Sequence, residues 1–247
     1  MLSIVHYRKP CTIVFSRRLL TLTTLALIAV VFLGIFSAGG TERAPLAGLT
    51  IVLDPGHGDH DRGVCHFPSD LIEKEINLDV AKIIQAGLEA VGARVILTRS
   101  DDTFLGLSER AELANRVGAD LFLSIHTNRI PKHPECFGAQ SFYFPDSEPS
   151  RRLALSLQEE LLKADPANYR KALPGNYRVL RVSTMPAALV EIGFLTNARD
   201  RSLIATEEYR RAVSAAVVAG VIRFVQGEAP LSRQTTTGTA VTSTAIG

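Results

Sequence analysis

The chain is expected to fold as a single three-layer α/β domain, a mostly parallel sheet flanked by helices, with an N-terminal transmembrane helix ahead of it. Three observations predict this. Short apolar runs alternate with longer stretches of helical periodicity, the pattern of a parallel sheet covered on both sides. The run Leu121-Phe122-Leu123-Ser124-Ile125 lacks an exposed polar face, as a strand buried on both sides should. A stretch without charge covers residues 19–38.

That stretch is about as long as the roughly 20 residues a helix needs to cross a bilayer. Arg8, Lys9, Arg17 and Arg18 precede it, so its leading side should stay in the cytoplasm and the rest of the chain should lie outside. A cleavable signal peptide is the alternative, since Ser37-Ala38-Gly39 offers small residues. The expected organisation is a cytoplasmic basic segment at 1–18, an anchor at 19–38, a linker at 39–48 and one domain at 49–226. A Thr-rich tail at 227–247 lacks large apolar anchors and reads as disordered.

Within the domain, residues 50–53 form a strand that Asp54-Pro55-Gly56 stops, delivering His57 at its tip between two glycines. A Gly-, Asp- and His-rich loop follows to Asp70, a plausible N-cap for a helix over 71–91. Ile76, Val80, Ile83, Ile84, Leu88 and Val91 recur on one face of that helix. A strand over 93–98, a helix over 107–117 and a strand over 120–125 come next. A strand over 138–144 and a helix over 149–164 follow. Residues 176–180 and 186–190 read as strands, and a closing helix covers 206–225 with Tyr209, Val213, Val217, Gly220, Val221 and Phe224 on one face.

The 247 residues are 46% hydrophobic, enough for a sizeable core, and the formal net charge of +2 is spread over both signs. There is no tryptophan and no basic stripe interleaved with aromatics, so nucleic-acid binding is not expected. Cys11 lies before the apolar run. Cys65 and Cys136 read as two free thiols, a bridge between them being the alternative.

Three strand ends carry chemistry: His57, His126 and Glu191. Open α/β sheets place their sites along such an edge. Two imidazoles and one carboxylate suit a zinc ion that keeps a position open for water. Glu73 and Glu75 are the nearest carboxylates for the third ligand. Asp70-Leu71-Ile72-Glu73 also fits a capping box, which would give Glu73 a structural role. Glu191, directly after Ala187-Ala188-Leu189-Val190, should be desolvated and so poised as a general base. Asn128 reads as a turn residue, with substrate positioning as the alternative.

Four ordered runs, IVLDPGHG, IEKEINLDVA, ERAELANRVGADLFLSIHTN and PAALVEIGFLTN, resemble the zinc-dependent N-acetylmuramoyl-L-alanine amidases of the type 3 amidase family. The resemblance implies a mainly six-stranded α/β fold, Zn2+ as cofactor, His57, Glu73 and His126 as metal ligands, and Glu191 as the catalytic glutamate. Thr127 departs from the Ala or Leu common in that family. It also implies peptidoglycan as substrate, cut between the muramic acid lactyl group and L-alanine. The anchor together with SIHTNRIP and GAQSFYF looks like the germination-specific branch found in spore-forming bacteria. That likeness implies spore cortex and muramic-δ-lactam formation, with vegetative wall remodelling as the other setting. A protein activator is possible, and the residues do not identify one. The rival readings are a zinc peptidase or deacetylase, for which Arg99, Arg110 or Arg181 would supply a cation, and a silent membrane-tethered wall-binding module.

Overall fold

In the computed structural model, residues 43–66 and 69–227 are described. The expected basic segment, transmembrane anchor and most of the tail lie outside them. Among the described residues no helix is long and apolar enough to cross a membrane.

The elements run β1 (Thr50–Pro55), β2 (Cys65–His66), β3 (Leu71–Ile72), α1 (Glu73–Ala90), β4 (Arg94–Leu97), α2 (Leu107–Arg116), β5 (Leu121–Asn128) and β6 (Gln140–Tyr143). They continue with α3 (Glu148–Ala164), β7 (Leu173–Pro174), α4 (Arg178–Val182), β8 (Ala187–Phe194), α5 (Ala198–Ile204) and α6 (Glu207–Val225). Six strands form one sheet in the order β4-β1-β5-β8-β6-β7, and β2 pairs with β3 in a small hairpin. All pairings in the large sheet are parallel except β6 against β8. The mostly parallel, three-layer expectation therefore holds.

Side-chain alternation along the central strands sorts them onto two cores. Ile51 and Leu53 of β1, Leu121, Leu123 and Ile125 of β5, and Ala188, Val190 and Ile192 of β8 share one cluster with the apolar faces of α1, α3 and α6. Val52, Phe122, Ala187 and Leu189 point the other way, onto Ala114 of α2 and Val179 and Leu180 of α4. Each fully buried large apolar side chain contributes on the order of 1.5–3 kcal/mol. Runs buried on both faces explain why these strands read as continuous apolar sequence. The closing helix packs as its periodicity required, and the Tyr209 hydroxyl donates to the Ile192 carbonyl at 2.8 Å.

Several expectations are corrected. Residues 176–180 are not a strand; α4 begins at Arg178, and a short run of Val and Leu carries no period long enough to separate helix from strand. Asp70 does not cap α1. It lies in the turn of the β2–β3 hairpin with φ 51°, and Ile72 occupies the N-cap with no side-chain cap. The stretch read as a linker is structured in its second half: Leu46 is fully buried, and its amide donates to the Val91 carbonyl at 3.0 Å. The helix α5 and the short strand β7 had no sequence signal long enough to be read.

Candidate metal centre and active-site cleft

His126 and Glu191 come together through sheet register. The two are Cα partners on the parallel pair β5–β8, so their side chains leave the same face. On β5, Leu123 and Ile125 face the larger core, which turns Ser124 and His126 to the opposite side. On β8, Val190 and Ile192 do the same for Glu191. Both residues lie inside strands that run on to Asn128 and Phe194, not at strand ends as the sequence suggested. The register of the β5–β8 pair shifts between His126 and Asn128.

His57 follows β1 after Gly56 and adopts φ 64°, a left-handed conformation that costs a non-glycine residue about 1–2 kcal/mol. Two buried arginines hold this turn. Arg99 donates to the carbonyls of Pro55 at 2.9 Å and Gly56 at 2.9 Å. Arg110 donates to Pro55 O at 2.8 Å and His57 O at 2.8 Å. Arg110 also pairs with fully buried Asp54 at 2.8 Å, and Asp54 accepts from Thr98 Oγ1 and Ser124 Oγ at 2.7 Å each. These guanidiniums are occupied by the fold, which removes Arg99 and Arg110 as cations for a substrate carboxylate. Arg181 is bound to Asn176 Oδ1 at 2.6 Å.

Glu73 opens α1 and is 3% exposed, whereas Glu75 faces solvent. The geometry separates the two. Glu73 Oε1 lies 3.1 Å from His57 Nε2 and 3.1 Å from His126 Nδ1, and accepts the Thr127 amide at 3.0 Å. Its Oε2 accepts the Val64 amide at 2.8 Å. The capping-box role is absent: the Glu73 carboxylate is spent on His57, His126 and the amides of Val64 and Thr127. Burial works to raise its pKa, but hydrogen bonds from His126 and His57 outweigh this and hold it far below the usual carboxylate range. For His57, burial works downward, yet Glu73 and then Asp61 raise its pKa above the ordinary imidazole value.

The chemistry of these groups fits a metal ion. His57, Glu73 and His126 each offer a ligand atom, and all these atoms lie within 4.8 Å of one another. Asp61 Oδ2 sits 2.8 Å from His57 Nδ1, the carboxylate–imidazole pairing that fixes a ligand's tautomer. Asp61 was missed in the sequence because the loop holds several acids and no periodicity ranks them. Thr127 Oγ1 lies 3.0 Å from Asn77 Oδ1, and Asn77 Nδ2 donates to the Gly56 carbonyl at 3.3 Å, so Thr127 braces the ligand helix. Asn128 Oδ1 accepts the Arg129 amide at 2.7 Å, the turn role expected.

Gly56 makes room for the imidazole of His126. A Cβ there would lie 2.1 Å from His126 Cε1. Gly56→Ala should therefore displace His126, lower stability by about 1–3 kcal/mol and reduce bound metal after dialysis, read by thermal unfolding and metal analysis. Unchanged metal content would mean that the ring relocates freely.

Glu191 is 8% exposed, and its Oε2 has no hydrogen-bond partner. Burial first, and the negative charge of Glu73 second, push its pKa well above the normal glutamate range. It shares with His57 and His126 a cleft of about 340 Å³, lined also by Phe104, Leu107, Tyr177 and Arg178. Cys65 and Cys136 are both free thiols.

Two imidazoles and a carboxylate that could hold a metal ion, with the unpartnered Glu191 oxygen in the cleft that both imidazoles line, are a set of groups suited to hydrolysis. A model of the N-acetylmuramoyl-L-alanine amidase family matches residues 51–223. The chain belongs to that family. It is 38% identical over 184 residues to the N-acetylmuramoyl-L-alanine amidase LytC of Bacillus subtilis, a match covering 74% of this chain but only 36% of LytC. It is 36% identical over 196 residues to the germination-specific N-acetylmuramoyl-L-alanine amidase of the same organism, covering 73% of this chain and 81% of that one. Among solved structures, the CwlD amidase of Clostridioides difficile in complex with the GerS lipoprotein matches with a TM-score of 0.70 and 31% identity, over 73% of this chain and 100% of that one.

Proposed function

We propose that this peptidoglycan amidase works with zinc held by His57, Glu73 and His126, and that Glu191 moves the protons of the reaction. The observation that carries the reading is the buried, unpartnered Glu191 Oε2 in the cleft that also exposes both histidines. The bond cut, by family membership, joins the muramic acid lactyl carbonyl to the L-alanine nitrogen.

A bound zinc ion supplies an acidified water and polarises the scissile carbonyl. The chain supplies the rest. Asp61 holds the proton on His57 Nδ1, which leaves Nε2 free as a ligand atom. Glu73 stays ionised between the imidazoles, balancing positive charge. Glu191 accepts the proton of the attacking water at its unpartnered oxygen and returns it to the departing alanine amine. Burial keeps that proton from exchanging with solvent during the transfer.

The test is mass spectrometry of digested muropeptides: an amidase releases free stem peptides and leaves the glycan intact, whereas shortened stems or lost acetyl groups would identify a peptidase or a deacetylase. Chelation should abolish turnover and zinc should restore it. His126→Ala should lose stoichiometric zinc on dialysis; full occupancy would remove His126 from the ligand set. Likeness to the germination-specific relative supports spore cortex as the setting. Release of stems from vegetative wall but not cortex would overturn that. The run 19–38 supports a membrane anchor holding the domain outside the cytoplasm, and the lipoprotein bound to the CwlD relative supports a protein partner for this chain too.

A further inference from the structure

We propose that Arg178 reads a carboxylate of the stem peptide, on the alanine side of the scissile amide, and so sets the enzyme's preference for stems with a free acid there. This rests on the amidase reading above. Phe104, Leu105, Leu107 and Val179 give the lining of the cleft an apolar part, with Phe104 40% and Leu107 58% exposed. Such a surface suits the alanine methyl. Two cations line the cleft, Arg110 and Arg178. Arg110 is consumed by Asp54 and by the carbonyls of Pro55, His57 and Leu105. Arg178 differs. It is exposed at the start of α4, and its Nε donates to Ser108 Oγ at 2.7 Å. Among the described residues its two terminal nitrogens have no hydrogen-bond partner or ion pair.

The acids in the cleft do not claim those nitrogens. Asp54 is taken by Arg110, Thr98 and Ser124, Asp61 lies on His57, and Glu191 Oε2 has no partner. Ser108 restrains the guanidinium by its Nε, so less freedom is lost when an anion docks on the remaining pair. Around the scissile amide the glycan is uncharged, so the anions that reach a cation in this cleft are those of the peptide. A planar guanidinium edge with two free nitrogens matches a carboxylate in bidentate fashion and cannot make that match with a carboxamide.

The experiment compares the full-length wild type with Arg178→Ala, Arg178→Lys and Arg181→Ala on paired glycan-linked stems. The pair differ only in whether the residue after L-alanine bears a carboxylate or a carboxamide. Arg178→Ala should lower kcat/KM on the carboxylate substrate roughly 10- to 100-fold, mainly through KM, and leave the carboxamide substrate within about twofold. Arg178→Lys should recover part of the loss, and Arg181→Ala, on the same helix, should change neither substrate. Equal effects of Arg178→Ala on both substrates, or none on either, would overturn the proposal. An Arg181→Ala effect matching that of Arg178→Ala would overturn it too, because a diffuse positive field would then suffice. If the wild type cleaves neither substrate, the amidase reading itself fails and takes this one with it.

Discussion

Glu191→Gln is expected to lower turnover by roughly 10²- to 10⁴-fold while leaving fold and metal content intact, the usual size of a lost general base. Glutamine keeps the shape of the side chain but cannot accept the proton. Its effect on stability is separate and has a sign. The folded protein holds the Glu191 pKa above its ordinary value, so below about pH 4 both folded and unfolded carboxyls are protonated and nothing is lost. As pH rises through the usual glutamate value of 4.5, the unfolded chain ionises freely while the folded one must keep a proton or bury an anion, and stability falls. With metal removed, the glutamine variant should therefore unfold at a higher temperature than the wild type near about pH 8 and at the same temperature near about pH 4. A divalent ion in the adjoining site favours the ionised form and narrows the gap. Thermal midpoints across pH, with and without chelator, check this. A gap that does not widen with pH would mean the carboxyl finds solvent or a partner in the folded state.

The sequence made the sheet legible because β1, β5 and β8 are buried on both faces, and continuous apolar runs are a strong signal. It made His57, His126 and Glu191 legible because each interrupts or ends such a run. The network that holds them was not legible. Asp54 stands far along the chain from Arg99 and Arg110 and joins them through the parallel register that sets Asp54 beside Ser124. Each alone reads as a surface charge. Glu73 could not be separated from Glu75 by local pattern, because the decision is made by the β2–β3 hairpin, which brings the Val64 amide onto Glu73 Oε2. Two-residue strands leave no periodicity to read. The reading of α4 as a strand failed for the same reason of length.

The buried pair Asp54–Arg110 should give the largest stability effect of any single substitution here. Arg110→Met removes the guanidinium and leaves the Asp54 carboxylate, fully buried, with two hydroxyl donors and without its ion-pair partner, Arg99 acting on it only through space. The His57 and Leu105 carbonyls lose their donor in the same step. Removing one partner of such a pair typically costs about 3–5 kcal/mol. At about 2–4 °C per kcal/mol for a domain of this size, the midpoint should drop by roughly 6–20 °C. The site should suffer beyond this global loss. His57 sits in a left-handed conformation that Arg110 holds through its carbonyl, so the remaining folded protein should bind metal more weakly. Combining Arg110→Met with Asp54→Ala separates the two effects. The double variant has no stranded charge and should recover part of the stability, while His57 still lacks its donor and metal affinity stays reduced. Metal affinity returning together with stability would show that the arginine serves the aspartate alone and does not position His57.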